Sequence, residues 1–151
     1  VTSGVMSDRT QGEILIDAPV GRVLDVIGDV EKYPEWATGT TRAEVTQEGD
    51  APLRPRRAKF TLETVLKDVF ELEYDWADDG VSWQLLSSQL QKSQSGRYVL
   101  SDADGGAVKV VYELEIVTNV PMLGMLRRKA QHRIVDTALK SLKRRVEDPS
   151  A

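Results

Sequence analysis

The chain has 151 residues, of which 40% are apolar and 29% are charged, a composition typical of one globular domain with a substantial core. It contains no cysteine, which excludes disulfide bonds, cysteine–zinc sites and thiol nucleophiles. The formal net charge of −4 argues against a general nucleic-acid-binding surface, and no segment reaches the ~18 consecutive apolar residues of a membrane span.

The first segment, "VTSGVMSDRT", has neither the basic region nor the apolar region of a secretory signal. We expect residues 1–10 to form a disordered or frayed polar arm. No repeat or low-complexity linker divides the remainder, so residues 11–147 are predicted to form one domain with a short tail at 148–151. These features are compatible with a cytoplasmic protein.

A short β-like run, "EILI", ends at Asp17-Ala18-Pro19, where Asp17 or Ala18 is expected to cap a helix and Pro19 suits its first turn. The next apolar residues fall at helical spacing on one face: Val20, Val23, Leu24 and Ile27. Gly28 is a suitable end for this helix. The stretch "DVEKYPEW" then predicts a second short helix, which Pro34 stops while it pushes Tyr33 towards an extended backbone.

Residues 41–117 show the two-residue alternation of strands that are half buried. The clearest case is "VFELEYDW", in which apolar residues alternate with acidic ones. Asp79-Gly80 and Asp104-Gly105-Gly106 are turn signals between such runs. Alternation with one polar side predicts an antiparallel sheet with one face in water, and this wet face accounts for most of the acidic residues between 63 and 79.

The chain ends in a predicted helix that starts just after Pro121 and runs to about Glu147, roughly 39 Å long. Its apolar residues repeat every four positions, and we expect them to face the sheet: Leu126, Ala130, Ile134, Ala138, Leu142 and Val146. Basic residues are predicted on the opposite, solvated face: Lys129, Arg133, Lys140, Lys143 and Arg144. His132 is expected to point sideways or outward.

The element order is therefore one strand, two short helices, six antiparallel strands and one long helix, which predicts the α+β class. The stretch "ILIDAPVGRVLDVIGDVEKYPEW", Ile14 to Trp36, resembles the opening of the polyketide cyclase/dehydrase and coenzyme Q-binding branch of the START-like (SRPBCC, helix-grip) superfamily. The corner of that branch matches at Asp29, Glu31, Tyr33, Pro34 and Trp36. The element order extends the resemblance over residues 11–147.

The resemblance implies a helix-grip fold, in which a curved antiparallel sheet of about seven strands wraps around the long C-terminal helix and an apolar tunnel opens between them. It also implies that Tyr33, Pro34 and Trp36 brace the entrance of the tunnel, while Asp29, Glu31 and Lys32 face the solvent outside.

The inward face of the predicted strands supplies the candidate lining of such a cavity, and the start of the long helix supplies residues near its mouth. The candidates are Trp36, Phe60, Leu62, Phe70, Leu72, Tyr74, Trp76, Trp83, Leu85, Tyr98, Tyr112, Met122, Leu123 and Met125. An apolar cavity with a few hydroxyl groups is the usual make-up of a small-molecule site. The alternative is that these side chains fill a solid core.

Three functions stay open at this point. The first is binding or transport of a hydrophobic small molecule, such as a lipid, an isoprenoid quinone or a polyketide-like ring system, without a cofactor or a metal. The second is a polyketide cyclase or aromatase, in which Tyr74, Tyr98 or Tyr112 would converge with an arginine on one point. The third is a ribosome-, RNA- or membrane-associated role for the basic helix face, against which the low pI argues in the case of RNA.

Overall fold

A computed structural model of the protein describes residues 9–64, 67–119 and 124–148. The strands are β1 Thr10–Ile16, β2 Thr40–Gln47, β3 Arg57–Glu63, β4 Lys67–Ala77, β5 Gly80–Ser88, β6 Gln91–Asp102 and β7 Val108–Thr118. The helices are α1 Val20–Gly28, a 3₁₀ helix Val30–Glu35, a 3₁₀ turn Asp104–Gly106 and α2 Gly124–Glu147.

The seven strands form one antiparallel sheet in the order β1-β7-β6-β5-β4-β3-β2. Strands β2 to β7 each pair with their neighbour in sequence, and β1 alone pairs across the chain, with β7. Buried and exposed residues alternate along β4, with Phe70, Leu72 and Tyr74 on the covered face. The predicted α+β fold with a seven-stranded antiparallel sheet and a long C-terminal helix is confirmed, and we call the covered face of the sheet its inner face.

Strand β1 begins at Thr10, one residue before the predicted start of the domain. Thr10 is buried, and Arg9 forms ion pairs with Glu113 at 3.3 Å and with Glu115 at 3.1 Å. The chain is therefore held to the sheet from Arg9 onward, while residues 1–8 of the predicted arm lie outside the described residues. The domain boundaries stay a prediction.

Helix α1 buries Val23, Leu24 and Ile27 as the periodicity predicts. Its N-cap, however, is Pro19 itself and not Asp17 or Ala18, and no side chain caps the helix. The first turn of the helix is instead stabilised by the backbone alone, because the Pro19 carbonyl accepts hydrogen bonds from the amides of Arg22 and Val23.

The corner after α1 differs from the prediction for Tyr33. The 3₁₀ helix includes both Tyr33 and Pro34, so the expected extended backbone at Tyr33 is wrong. Two contacts hold Tyr33 in place: its hydroxyl donates to the Ile27 carbonyl at 2.6 Å, and its ring lies 5.4 Å from that of Phe60. These contacts outweigh the preference that a following proline imposes on the backbone.

Helix α2 crosses β1 and β7 and is pinned there by one buried polar side chain. The Gln131 oxygen accepts from the Ile116 amide at 3.1 Å, and its nitrogen donates to Thr10 Oγ1 at 2.7 Å and to the Leu114 carbonyl at 3.1 Å. The helix fits closely because β1 has a glycine below it: a Cβ on Gly12 would lie 2.8 Å from Val135 Cγ1.

The end of α2 is held by four polar contacts. Lys143 donates to the Leu15 carbonyl at 2.7 Å, and the Asp17 amide donates to Glu147 at 2.8 Å. On the side of the 3₁₀ helix, Ser141 Oγ lies 3.4 Å from Thr38 Oγ1 and Arg145 pairs with Glu35 at 3.1 Å.

The predicted apolar stripe of α2 is correct only in its second half. Leu142 and Val146 are 0% and 6% exposed, whereas Leu126 and Ile134 are 53% and 45% exposed and Ala130 is also exposed. A repeat of four residues turns by about 40° at each step, so it leaves the face that packs on the sheet. The packed face follows three- and four-residue spacing instead: Gln131, Val135, Leu139, Leu142 and Val146.

Candidate functional site

The inner face of the sheet carries two groups of aromatic rings in contact. In one group, Tyr33 lies 4.8 Å from Trp36 and 5.4 Å from Phe60, which stacks on Phe70 at 5.4 Å. These rings sit beside the 3₁₀ corner. They form one wall of the region where the resemblance places the mouth of a tunnel.

The second group is centred on Trp83, with three tyrosines around it. The Trp83 ring centroid lies 6.2 Å from Tyr74, 5.4 Å from Tyr98 and 5.7 Å from Tyr112, and the last two stack on each other at 4.6 Å. Gly96 makes this arrangement possible, because a Cβ there would lie 2.4 Å from Trp83 Cζ2. The indole thus lies directly on the backbone of β6.

A chain of buried hydrogen bonds runs from Trp83 to a carboxylate. Trp83 Nε1 donates to Gln94 Oε1 at 2.9 Å, Gln94 Nε2 donates to Gln91 Oε1 at 2.7 Å, and Gln91 Nε2 donates to Asp68 Oδ2 at 3.0 Å. Asp68 also accepts from Ser88 Oγ at 2.8 Å and from the backbone amides of residues 89 and 90. The chain therefore fixes the indole and the β5–β6 turn together.

Our sequence analysis missed Asp68, Gln91 and Gln94. A signal was available for two of them, since Asp68 is two residues before Phe70 and Gln94 is four residues before Tyr98, in the inward register of their strands. A polar residue in the inward register marks either a buried network or a ligand contact.

The hydroxyl groups of Tyr74, Tyr98 and Tyr112 are polar groups of this site that form no hydrogen bond with another described residue. Within the described residues, none of the three makes a hydrogen bond, yet no buried side-chain nitrogen or oxygen atom lacks a partner. The three oxygen atoms must therefore border space that a solvent molecule can enter. The three hydroxyls are therefore the polar groups of the candidate site on the inner face.

Burial of the rings raises the pKa of all three tyrosines above its ordinary value. For Tyr74 and Tyr112 the neighbouring tyrosines raise the pKa further. The hydroxyls consequently stay protonated at neutral pH. They can donate hydrogen bonds to an oxygen atom of a guest, and they cannot act as general bases.

The flank of α2 on the side of β2 can be identified from its polar contacts. Ser141 and Arg145 contact Thr38 and Glu35, which identifies the flank that faces across the sheet towards β2. Ile134 precedes Ser141 by seven residues, so it lies on the same flank two turns earlier. Ala130 and Leu126 each lie about 40° further round the helix, so Leu126 has the same direction as the solvated Arg144, and both side chains are exposed.

The remaining predicted lining residues divide into three groups. Leu62, Leu72 and Leu85 lie on the inner face beside the rings already described. Trp76 packs against the loop before β3: its Nε1 donates a hydrogen bond to the Pro55 carbonyl at 2.7 Å, and the Arg54 guanidinium lies over its ring. Met125 is 63% exposed at the start of α2, and the predictions for Met122 and Leu123 fall outside the described residues.

The predicted basic face of α2 is exposed at Lys129, Arg133, Lys140 and Arg144. Lys140 pairs with Asp136 at 3.0 Å, whereas Lys143 is only partly exposed and lies against β1. His132 is exposed.

Arg97, the neighbour of Tyr98 in the sequence, does not supply the arginine that the cyclase hypothesis requires. Arg97 lies on the outer face of the sheet, where its Nη2 is 2.9 Å from Glu113, and this hydrogen bond is the main reason that the pKa of Glu113 is lowered. The three tyrosine rings all lie close to Trp83, and the convergence of their hydroxyls with an arginine on one point stays a prediction.

The outer face of the sheet carries an open groove of about 680 Å³ between Arg9, Arg56 and Arg97. Its cations already face carboxylates, with Arg56 4.0 Å from Glu73 and both other arginines on Glu113. We attribute this groove to the twist of a solvated sheet face and place the candidate site on the inner face.

Two structural tests bear on other kinds of site. Over residues 9–64, 67–119 and 124–148, no three His, Asp or Glu side chains come together in a way that could hold a metal ion. Neither of the α-helices in those ranges has the length together with the apolar character that a bilayer crossing requires.

The fold is similar to several solved structures. A START superfamily protein from Mycobacterium smegmatis has a TM-score of 0.84 at 16% identity, with 92% of this chain and 97% of that chain covered. Protein TTHA0849 from Thermus thermophilus has a TM-score of 0.80 at 23% identity over 95% and 100% of the two chains. The Zhui aromatase/cyclase from Streptomyces sp. R1128 has a TM-score of 0.78 at 14% identity over 97% of each chain.

At these identities the similarities establish a START-like fold and no specific activity. No curated protein matches the sequence. A family model described as "Polyketide cyclase / dehydrase and lipid transport" matches residues 16–143, which include the three tyrosines, the 3₁₀ corner and most of α2. The chain therefore belongs to the polyketide cyclase/dehydrase and lipid transport family.

Proposed function

We propose that this protein binds a hydrophobic small molecule with a few oxygen atoms in the hollow between the inner sheet face and α2. The observation that carries this proposal is the set of three unpaired hydroxyls, on Tyr74, Tyr98 and Tyr112, that border accessible space inside an otherwise satisfied core of described residues. Water can partner these hydroxyls in the free protein, and oxygen atoms of a guest can replace it.

The surroundings suit a flat, apolar guest. Aromatic rings form one wall, and the flank of α2 that carries Ile134 and Ser141 forms the other. Burial of about 200 Å² of ligand surface would contribute ~5 kcal/mol before the cost of association. A hydrogen bond from each hydroxyl would add about 0.5–1.5 kcal/mol and favour a ligand with carbonyl or ether oxygens. Micromolar binding needs no catalytic group.

A cyclase or aromatase is the second candidate, and the grouping of the three tyrosine rings around Trp83 favours it. Their hydroxyls could polarise a carbonyl group as hydrogen-bond donors. A cyclase also needs a group that removes a proton from the substrate. The raised pKa values exclude the tyrosines as bases. The buried carboxylate of Asp68 already accepts hydrogen bonds from four donors. Binding without turnover therefore accounts for more of the site.

The experiment is a titration with menadione, a ring system with two carbonyl oxygens, followed by quenching of tryptophan fluorescence. We expect saturable quenching, about 3- to 10-fold weaker binding for Tyr98→Phe and for Tyr112→Phe, and a larger loss for the double variant. Tyr33→Phe is the matched control: it removes a hydroxyl bonded to the Ile27 carbonyl and should leave the dissociation constant unchanged.

Native mass spectrometry of the protein incubated with a bacterial lipid extract provides a second measurement. Retention of a lipid or quinone supports the proposal. Failure to retain any molecule, together with unsaturable menadione quenching that is the same in all variants, would reject it. Conversion of a linear poly-β-ketone by the wild type but not by Tyr98→Phe would favour the cyclase instead.

A further inference from the structure

The two ends of the sheet differ sharply in charge. The β3–β4 and β5–β6 turns and the end of β7 meet at one end, where α2 also begins. Cationic side chains gather there: Lys67, Lys92, Arg127, Arg128, Lys129 and Arg133. Glu63 is an exposed carboxylate among them, and we call this the basic end.

The other end contains the β4–β5 and β6–β7 turns. Its exposed turn residues are acidic, namely Asp78, Asp79, Asp102 and Asp104. Six of the 20 lysine and arginine residues therefore lie at the basic end of a chain whose net charge is −4. Such segregation orients a protein in front of an anionic surface even when the whole molecule is negative.

Large apolar side chains are exposed at the same basic end. Met125, Leu126 and Ile134 are 63%, 53% and 45% exposed, within one and a half turns of Lys129 or Arg133. Apolar residues bordered by lysine and arginine on one helix are the signature of a segment that lies at a membrane interface. Leu15, near the other end of the sheet, is similarly exposed at 55% but lies on a strand, opposite Lys109.

We propose that the basic end docks on the surface of an anionic lipid bilayer, with the first half of α2 lying in the headgroup region. The cations face lipid phosphates, and Met125 and Leu126, at the start of α2, enter the boundary of the acyl chains. RNA is the competing anionic partner. It is disfavoured because the exposed large apolar side chains of the described residues include no aromatic ring on which bases could stack.

This inference goes beyond the proposed function and does not depend on a ligand in the hollow. It assigns a surface, a partner class and an orientation, with the acidic end pointing away from the bilayer. Peripheral contact of this kind requires no membrane-spanning segment.

The test is flotation of the full chain with phosphatidylcholine vesicles that contain, or lack, phosphatidylglycerol. We expect binding only to the anionic vesicles, falling steeply with salt. Arg133→Glu should weaken the partition coefficient about 30-fold, since each basic residue near the surface contributes about fivefold. Arg144→Glu is the matched control, with the same change of charge on the same face of α2 but about 16 Å further along the helix.

A second pair of variants tests the apolar contribution. Leu126→Ser should weaken vesicle binding, whereas Leu15→Ser, at a leucine of similar exposure near the acidic end, should not. Circular dichroism checks that all four variants fold, which we expect because each substituted side chain is exposed.

Three outcomes would overturn the proposal: no binding to anionic vesicles at low salt, equal losses for Arg133→Glu and Arg144→Glu, or equal losses for the two serine variants. Binding of single-stranded RNA that depends on Arg133, without vesicle binding, would assign the basic end to RNA. Loss of menadione binding with intact vesicle binding would reject only the function proposed above.

Discussion

The two halves of α2 carry the same apolar repeat but meet different surroundings. In the second half, Leu142 and Val146 are sealed between the sheet and α1, and Lys143, Arg145 and Glu147 tie the helix to the rest of the fold. In the first half, Leu126 and Ile134 face open space, and Gln131 is the polar side chain that holds this half to the sheet.

The difference indicates how one helix can serve stability and binding together. The second half closes the core, so its apolar side chains contribute to the free energy of unfolding. In the first half Met125, Leu126 and Ile134 are exposed, so they contribute less to the free energy of unfolding and are available for the contacts proposed above. The comparison predicts that equal substitutions in the two halves will have unequal effects.

The largest expected effect is that of Leu142→Ala. Leu142 is fully buried, so truncation should lower the free energy of unfolding by about 2–5 kcal/mol through lost contacts and the cavity left behind. Leu126→Ala is the matched control in the first half and should cost less than about 1 kcal/mol, because half of that side chain is already exposed. Urea denaturation followed by circular dichroism measures both values. Equal losses would mean that the first half is as well packed as the second.

The next effect concerns the polar anchor of the first half. Gln131→Leu removes one acceptor and two donor contacts, leaving the Ile116 amide and the Leu114 carbonyl without their buried partner. We expect a loss of about 2–4 kcal/mol, since each unsatisfied buried group costs about 1–3 kcal/mol. Hydrogen exchange should show faster exchange of the Ile116 amide.

Gln84→Leu, an exposed glutamine on the outer face, is the control for the same chemical change and should be nearly neutral. A Gln131→Leu variant as stable as the wild type would show that apolar packing alone holds this half of the helix.

The smallest effect is a pH dependence at the end of the second half. The Asp17 amide and the Lys143 ammonium bond the Glu147 carboxylate and lower its pKa. A carboxyl whose pKa is lower in the folded state stabilises the fold above its unfolded pKa, and this stabilisation disappears as the pH falls through the folded value. In Glu147→Gln the free energy of unfolding should therefore fall less steeply than in the wild type between about pH 5 and about pH 3. Parallel pH profiles for variant and wild type would contradict this.

The fold could be predicted from the sequence to the extent that patterns are local. The alternation of Phe70, Leu72 and Tyr74 with acidic residues specifies a strand and its inward face, because a two-residue period admits one arrangement against a core. The backbone of Tyr33 could not be predicted in this way, since a hydroxyl contact with Ile27 and a ring contact with Phe60 decide it.

The candidate site was predictable in its aromatic residues and not in its polar ones. Tyr98 and Tyr112 follow from strand register, and Trp83 with them. Gln94 and Gln131 look like solvated residues in the sequence, because their burial depends on partners that lie on other elements. The exposure of Leu126 was equally hidden: it depends on the angle at which α2 crosses the sheet, which no local pattern records.

The pairing of β1 with β7 has a consequence for how the chain is made. Arg9 and Glu113 are 104 positions apart, so the first strand leaves the ribosome long before its partner strand exists. Until then β1 can present an unpaired edge to other chains. Contacts that span most of the sequence slow folding, and we expect the joining of β1, β7 and α2 to be the late step of biogenesis and the one most in need of chaperone protection.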